Sequence, residues 1–286
     1  MIPTTGHRPP ATDCYNSRVI NVEILTIGNE ILLGLVEDTN SNYLCRVVRG
    51  MGGRVRHVAV VRDEIDDIAE EVRASVGRSA DLIFTCGGLG PTDDDLSLAA
   101  IARFADLRLE TNEAAKRLVA GRYQQLALQG YVSSAEMSDA RLKMARLPEG
   151  ALPVENPVGA APAVVLDTAG TRIVSLPGVP AELRAIVEGP LQSLLTDVFG
   201  RGSYRERQMT VECGDESELA PALRKVALAH PEVYIKSRAS HFGSDVKFRL
   251  LISASGAGAD ETELMIESAA TDLNDALADA GIKRQR

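Results

Sequence analysis

The segment TCGGLGPTDDD, residues 85–95, combines two residue types that usually serve different ligands. A glycine-rich turn between a strand and a helix exposes backbone N–H groups that bind phosphate. Asp93, Asp94 and Asp95 follow at once. Two carboxylates about 4 Å apart repel by about 4 kcal/mol at an effective dielectric constant of ~20, so either a carboxyl pKa rises or a divalent cation lies between them. A pyrophosphate compound bound with a divalent metal would use both features.

Other interpretations of this segment stay open. The glycines are explained by a tight turn alone, and one Asp commonly caps the helix that follows, although one cap needs only one side chain. The segment lacks the G-K-[ST] end of a Walker A motif, and Asp93 stands where G-x-G-x-x-G requires glycine. We expect the glycines to hold phosphate and the aspartates to hold the metal that bridges to it.

The elements around this segment alternate in type. Apolar, β-branched runs at 22–27, 55–61 and 81–86 predict buried strands, and apolar residues at helical spacing predict a helix after each. This alternation is typical of an α/β fold with a parallel sheet. The polar clusters GNEILLG, RDE and GGLGPTDDD each follow one strand. Because ligands bind at the carboxyl ends of parallel strands, we expect these clusters to meet at one edge of the sheet.

Four polar residues outside the aspartate run are further candidates. Glu30 and Asp63 follow the first and second strands, where they either help to hold metal and orient water or are solvated acids at helix starts. Asn40 either caps a helix or bonds to the ligand. Asn156 is more often a turn residue than a ligand-binding residue.

Composition restricts the function further. The 286 residues carry a formal net charge of −9, which argues against a general nucleic-acid binder. The four cysteines form no C-x-x-C, so a zinc site is not expected. The chain has neither an apolar run of membrane-spanning length nor a signal-peptide pattern, so we expect a cytoplasmic protein with no membrane partner.

The chain divides into three predicted parts. Residues 1–20 are expected to be a flexible tail and 21–200 the main α/β domain. Residues 201–286 are expected to form a small α+β lobe, with strands at 207–212, 232–237 and 245–254 and helices at 216–229 and 260–279.

Four blocks together resemble the amino-terminal domain of the CinA (competence/damage-inducible protein A) family: TIGNEILLGLVEDTNSNYL, GGLGPTDDDLS, LPEGALPVENPVGAAP and LPGVPAEL. They occur in the family's order over roughly residues 22–190. The resemblance implies a three-layer, MoaB/MogA-like molybdopterin-binding fold with a KH-like lobe. It also implies a nucleotide pyrophosphatase that uses Mg²⁺, Mn²⁺ or Co²⁺ to hydrolyse ADP-ribose or an FAD-like compound. Because the sequence ends at Arg286, the deamidase domain of full-length family members is not expected.

The resemblance assigns roles by motif. The acidic catalytic residues would be Asp63, Asp94, Asp95 and Glu30, with metal at Asp94 and Asp95. The substrate- or phosphate-binding residues would be Gly28, Asn40, Gly87, Gly88, Gly90, Thr92, Asn156 and Gly159. Relatives commonly carry Lys or His where this chain has Asp93, so one positive partner for phosphate is missing. Candidate replacements are Arg141, Lys143, Lys236 and Arg238, although such residues are more often solvated surface charges.

Two other functions stay open. One is a molybdopterin-binding protein of molybdenum cofactor biosynthesis, which uses nearly the same residues, and the other is a non-catalytic nucleotide-binding regulator. Residues 204–286 contain no G-x-x-G loop, so we expect the KH-like lobe to serve assembly rather than RNA binding. The resemblance also implies a homo-oligomer, for which a dimer is the working expectation.

Overall fold

The computed structural model of the protein describes residues 19–168, 170–200, 202–239, 247–256 and 258–284. All but the last two residues of the predicted tail lie outside these ranges. The helices are α1 (Asn29–Leu32), α2 (Thr39–Gly50), α3 (Ile65–Gly77), α4 (Ser97–Ala105), α5 (Glu113–Leu128), α6 (Asp139–Lys143), α7 (Pro180–Glu188), α8 (Gln192–Phe199), α9 (Glu216–Ala229) and α10 (Ala259–Asp279).

The strands of the main part are β1 (Asn21–Ile27), β2 (Arg54–Val61), β3 (Leu82–Cys86), β4 (Leu109–Thr111), β5 (Arg146–Pro148), β6 (Leu152–Val154), β7 (Ala163–Thr168) and β8 (Thr171–Leu176). Those that follow are β9 (Ser203–Glu212), β10 (Val233–Ala239), β11 (Lys247–Gly256) and β12 (Lys283–Arg284). The three strands predicted in the first half are confirmed to within one residue at each end.

The main sheet has the order β2-β1-β3-β8-β7-β6. Strands β2, β1, β3 and β8 are parallel to one another. Strand β2 lies on one side of β1, and β3 lies on the other side. The direction in which the chain adds strands to the sheet therefore reverses at β1. A crevice at the carboxyl ends of the strands is expected at such a reversal.

The far edge of this sheet is antiparallel. Strand β7 pairs antiparallel with β8, and β6 pairs antiparallel with β7. Only residues 169–170 separate β7 from β8, and a connection that short can join only antiparallel strands. The predicted parallel sheet is therefore confirmed for its central strands, and this edge is the exception.

Helices cover both faces of the main sheet, which gives the predicted three layers. Alternate residues of a strand point to opposite faces. Leu25 and Ile83 pack with the apolar sides of α3, α4 and α5 on one face. Ile24 and Phe84 pack with α2, α7 and α8 on the other. The long apolar runs of these strands follow from burial on both faces.

The carboxyl-terminal part forms a second sheet, ordered β10-β11-β9-β12, with a core of its own against α9 and α10. The predicted helices and strands of the α+β lobe are therefore present. Arg49 of α2 contacts this part, with its guanidinium 4.3 Å from the ring centre of Tyr204 and 3.3 Å from the Glu206 carboxylate. The domain boundary at residue 200 stays a prediction. Within the described ranges, no helix combines the length and apolar character needed to cross a membrane.

Candidate functional site

A cleft of about 540 Å³ lies at the carboxyl ends of the parallel strands. Residues from the ends of β1 and β3 line it, together with the segments that follow β1, β2, β3 and β8. The structure therefore brings parts of all three polar clusters to one place. Of the sequence-predicted site residues, those that line the cleft are Glu30, Asn40, Asp63, Gly87, Gly88, Gly90, Asp94 and Asp95.

The glycine turn after β3 has a backbone that only glycine accommodates well. Gly87 and Gly88 have φ angles of 106° and 67°, and a Cβ at either position would lie 2.2 Å from a neighbouring oxygen. The Gly87 amide donates to the Leu176 carbonyl at 3.0 Å, so it is not available to a ligand. Among described residues, the amides of Gly88, Leu89 and Gly90 have no protein acceptor. Such consecutive free amides are suited to bind an anion.

Ser97, the first residue of α4, fixes this turn through two hydrogen bonds. Its hydroxyl is fully buried and donates to the Gly87 carbonyl at 2.7 Å, while its amide donates to the Gly88 carbonyl at 3.2 Å. The residue before α4 is Leu96, with no side-chain cap. The interpretation of Asp94 or Asp95 as a helix cap is therefore wrong.

Asp95 is held by the turn that precedes α4. Its Oδ2 accepts hydrogen bonds from the Thr92 amide at 2.9 Å and the Thr92 hydroxyl at 2.6 Å. The carboxylate lies so close to Gly90 that a Cβ there would be 2.6 Å from it. Thr92 itself does not line the cleft, and it acts on the site through both Asp95 and Asp94. The Thr92 side chain, a backbone amide and the Lys143 charge lower the pKa of the exposed Asp94 carboxyl.

Asp63 fixes the turn after β1. Its Oδ2 accepts from the Asn29 amide at 2.7 Å, so the segment after β2 is joined to the start of α1. Gly28 lies behind this turn, where its amide donates to the Val61 carbonyl at 3.2 Å. A Cβ on Gly28 would lie 2.8 Å from the Glu30 carboxylate, so this glycine makes room for Glu30 rather than lining the cleft.

The start of α2 forms a second wall. Asp38 caps the helix by accepting from the Ser41 amide at 2.9 Å, and its other oxygen accepts from the Thr26 hydroxyl at 2.9 Å. Asn40 is therefore not the cap. Its Nδ2 donates to the Gly178 carbonyl at 2.7 Å, which joins α2 to the turn after β8. The sequence analysis considered Asn40 as a cap and did not identify Asp38, two residues earlier, as the residue that caps α2.

Asn156 organises the third wall without lining it. Its Oδ1 accepts from the amides of Val158 and Gly159, and its Nδ2 donates to the Ala161 carbonyl and to Glu182 Oε2 at 2.7 Å. Gly159 leaves room for the Glu182 carboxylate, which a Cβ would overlap at 2.0 Å. Glu182 does line the cleft, and sequence analysis missed it. Its position at the start of α7, after LPGVP, is the available signal.

The cleft is strongly acidic. Seven carboxylates line it, and within the described part of the chain no Lys, Arg or His does. They are Glu30, Glu37, Asp38, Asp63, Asp94, Asp95 and Glu182. Since like charges this close repel, an anionic ligand needs a cation to enter. No group of three or more acids, histidines or cysteines in the described residues could hold a metal ion by itself.

The candidate replacements for the missing positive charge lie elsewhere. Lys143 donates to the Thr92 carbonyl and lies outside the cleft wall, in an adjoining pocket that the glycine turn also lines. Arg141 lies over the ring of Tyr123, 3.8 Å from its centre, and the Tyr123 ring lines the cleft. Lys236 and Arg238 are in β10, in the carboxyl-terminal sheet.

The sequence of residues 23–197 matches a family described as "Probable molybdopterin binding domain". The chain belongs to this family. The matched residues contain the whole cleft, from the end of β1 to Glu182. The family resemblance inferred from the four sequence blocks is confirmed at this level.

Individual relatives of this molybdopterin-binding family member extend the match. A protein of Pyrobaculum calidifontis is 37% identical over 247 residues, covering 86% of this chain and 91% of the relative. A protein of Caldivirga maquilingensis is 40% identical over 252 residues, covering 87% and 94%. The solved structure of the protein CinA of Thermoplasma acidophilum, described as of unknown function, is 32% identical with a TM-score of 0.56. That match covers 62% of this chain and 98% of the Thermoplasma chain.

Proposed function

We propose that this protein binds a nucleotide pyrophosphate, such as ADP-ribose, together with a divalent cation and hydrolyses the bond between its two phosphates. The observation that carries the proposal is the contrast inside the cleft. Three free backbone amides of the glycine turn are suited to a phosphate group, and the cleft that they border is lined by seven carboxylates, which repel one. Lys143 and Arg146 line an adjoining pocket that the same turn also borders. A cation that arrives with the phosphates reconciles the amides with the carboxylates.

The size of the cleft supports a ligand larger than phosphate. Small-molecule sites commonly enclose roughly 300–1,000 Å³, and the cleft, at about 540 Å³, is within that range. Its rim is partly apolar, with Val36 and Val179 about half exposed. We assign the amides of Gly88, Leu89 and Gly90 to a phosphate and this apolar rim to the uncharged part of the ligand.

The residues present fit a cation shared with the ligand better than a resident metal. Mg²⁺ is typically held by one or two carboxylates with substrate phosphates, and neighbouring Asp94 and Asp95 provide such a pair. The lowered pKa of Asp94 keeps that carboxyl ionised. A divalent cation bound there would withdraw charge from the phosphates and lower the pKa of a water molecule.

The reaction needs one water and no redox partner. The water oxygen bonds to one phosphorus and releases a proton to solvent, the bridging P–O bond breaks, and its electron pair stays on the bridging oxygen. Two phosphomonoesters leave, AMP and ribose 5-phosphate in the case of ADP-ribose. We assign Asp63, Asp94 and Asp95 to cation binding or water orientation, with Glu30 as a helper. The glycine turn would hold the departing phosphate.

The test is AMP release from ADP-ribose by the purified chain with Mg²⁺, Mn²⁺ or Co²⁺, against an EDTA control. Metal-dependent AMP release supports the proposal. Tight ADP-ribose binding without turnover in any metal would instead support a non-catalytic nucleotide-binding regulator. The expected cytoplasmic location and homodimer stay predictions, which fractionation and light scattering can check.

The family match favours one other candidate, binding of a molybdopterin-type pterin. Such a ligand also carries phosphate, so the same turn would serve it. The Tyr123 ring at the cleft would then lie near the pterin. Fluorescent pterin that co-purifies with the protein, and that Gly88→Val removes, would favour this candidate over hydrolysis of a nucleotide.

A further inference from the structure

A smaller cavity lies behind the Asn156–Ala160 segment and has a charge opposite to that of the main cleft. Its volume is about 150 Å³, and it is lined on one side by α5 and on the other by residues 155–162. Ala160 lines both cavities, so the segment separates them. We propose that this cavity binds a phosphate group.

Two guanidinium groups of α5 provide the charge. Arg117 and Arg122 both line the cavity, and the single carboxylate in its lining is that of Glu155. No hydrogen bond or ion pair in the described residues engages Arg117. Arg122 donates to the Val158 carbonyl and, at 3.2 Å, to Gln125 Oε1, both of which are uncharged acceptors. The cavity therefore holds two cationic side chains and one anionic one.

The guanidinium of Arg122 is incompletely satisfied. Its Nε is buried and has no hydrogen-bond partner in the described structure. Buried polar atoms are nearly always paired, and each exception calls for a partner. Because this Nε is covered, a phosphate oxygen in the cavity would pair with it only after a rotation of the Arg122 side chain. Guanidinium groups bind phosphate with two parallel N–H bonds, which makes arginine well suited to it.

Gly121 leaves space in the cavity for a phosphate group. It lies within α5, where glycine is less favourable than alanine, and no neighbouring atom lies within 4 Å of the Cβ it lacks. Packing therefore does not require glycine, but Gly121 lines the cavity, and a side chain would occupy part of it. Water takes ~30 Å³ in the liquid, so the cavity has the volume of about five waters, enough for the five heavy atoms of phosphate.

The experiment is a titration of isotope-labelled full chain with inorganic phosphate, followed by the backbone amide NMR signals of Gly121, Gly159 and Gly88. Saturable shifts at Gly121 and Gly159 are expected. AMP in place of inorganic phosphate separates the two sources, because tighter binding of AMP would assign the cavity to a phosphomonoester. Shifts at Gly88 alone, or none that saturate, would overturn the proposal. Gly88 lines the main cleft and the adjoining pocket beside the glycine turn but not this cavity, so the two sites succeed or fail separately.

Variants test the charges. Arg117→Gln and Arg122→Gln should each weaken phosphate binding at Gly121 about tenfold or more. Arg73→Gln, an exposed arginine on α3 with no partner among described residues, is the matched control and should change nothing. Glu155→Gln should tighten binding a few-fold, since it removes the one carboxylate. Unchanged binding in both α5 variants would contradict the proposal.

Gly121→Ala separates binding from folding. In a helix interior this change should raise the melting temperature by roughly 2 °C, because alanine is the better helix former. It should nevertheless weaken phosphate binding several-fold. A stable variant that binds phosphate as well as the unchanged protein does would count against the cavity as the site.

Discussion

Carboxylates at the two ends of the main sheet differ in their hydrogen-bond donors: two at one end pair with arginine, and those at the other bond to neutral groups. Toward the amino ends of the strands, the buried Glu23 of β1 pairs with Arg78 through bonds of 2.9 and 2.6 Å, and Asp167 pairs with Arg172 at 2.6 Å. At the carboxyl ends, the hydrogen bonds that the cleft carboxylates accept from described residues come from amides and hydroxyls, as Asp63 accepts from Asn29. No guanidinium or ammonium among described residues lines that cleft.

This difference separates structural acids from candidate functional ones. A buried carboxylate needs a cationic partner because its desolvation is otherwise too costly, so Glu23 and Arg78 are required by the fold. The cleft acids face solvent and keep much of their capacity to bind a cation. Their neutral hydrogen bonds fix their positions without cancelling their charge. Unpaired charge at one end of the sheet is thus the signature of the site.

The largest expected effect is at the cleft. Asp95→Asn keeps an oxygen that can accept from Thr92, so the fold should persist, with the free energy of unfolding within ~1 kcal/mol of the original. Turnover of ADP-ribose should fall roughly 10³-fold, since a charge needed in the transition state is lost. Steady-state kinetics and urea unfolding measure the two quantities. Asp66→Asn, which removes an exposed acid on α3, is the control, and equal losses in both variants would defeat the comparison.

The reverse pattern is expected at the other end. Arg78→Met leaves Glu23 buried without its partner and should lower the free energy of unfolding by about 3 kcal/mol. Catalytic efficiency at a temperature where the variant is folded should stay within about twofold. The double variant with Glu23→Gln should regain much of the stability. If Arg78→Met leaves the unfolding midpoint in urea unchanged, the assignment of Glu23 as a structural acid is wrong.

A smaller effect tests the repulsion itself. Glu182→Gln removes one of seven cleft charges while keeping an acceptor for Asn156. Without divalent cations, AMP should bind a few-fold more tightly to this variant, because about 1 kcal/mol of repulsion is relieved. Glu212→Gln in β9 should have no such effect. Isothermal titration at low salt measures both, and weaker metal-free binding by the Glu182 variant would contradict the electrostatic account.

The smallest effect concerns pH. The Thr92 side chain, above all, lowers the pKa of Asp94, so this carboxyl stays ionised below the usual range for aspartate. Activity that needs the carboxylate should fall only when the pH drops through that lowered value. Thr92→Val should move the acidic limb of the pH–rate profile to higher pH. A limb that does not move would remove Asp94 from the rate-determining ionisation.

Much of this architecture could be predicted from local pattern. The β-branched runs and helical spacing identified β1, α2, β2, α3 and β3, because strands buried on both faces read as continuous apolar segments. The meeting of their polar ends followed from parallel topology. The antiparallel β7–β8 edge was not predicted, although the short connection between the two strands was a signal for a hairpin. The connection does not show that β8 pairs with β3 on its other side.

The detail of the site depended on contacts distant in sequence. Asn40 bonds to Gly178, 138 residues away, and Asn156 bonds to Glu182, so each amide links segments that are distant in sequence. The neighbouring sequence does not show whether an asparagine will link chain segments or bind a ligand, because its side-chain amide has the same chemistry in both roles. The sequence also did not show that the described cleft wall lacks cationic side chains. Lys143 lies near the glycine turn, but it bonds to a backbone carbonyl.

The most direct test of the central claim is a binding titration with a methylene-bridged ADP-ribose analogue, which cannot be hydrolysed between its phosphates. Titrations would be run with Mg²⁺ and with EDTA. If unpaired cleft acids exclude phosphates until a cation neutralises them, the analogue should bind at least tenfold more tightly with Mg²⁺, and Asp95→Asn should abolish that difference. Equal affinity with Mg²⁺ and EDTA would contradict the account.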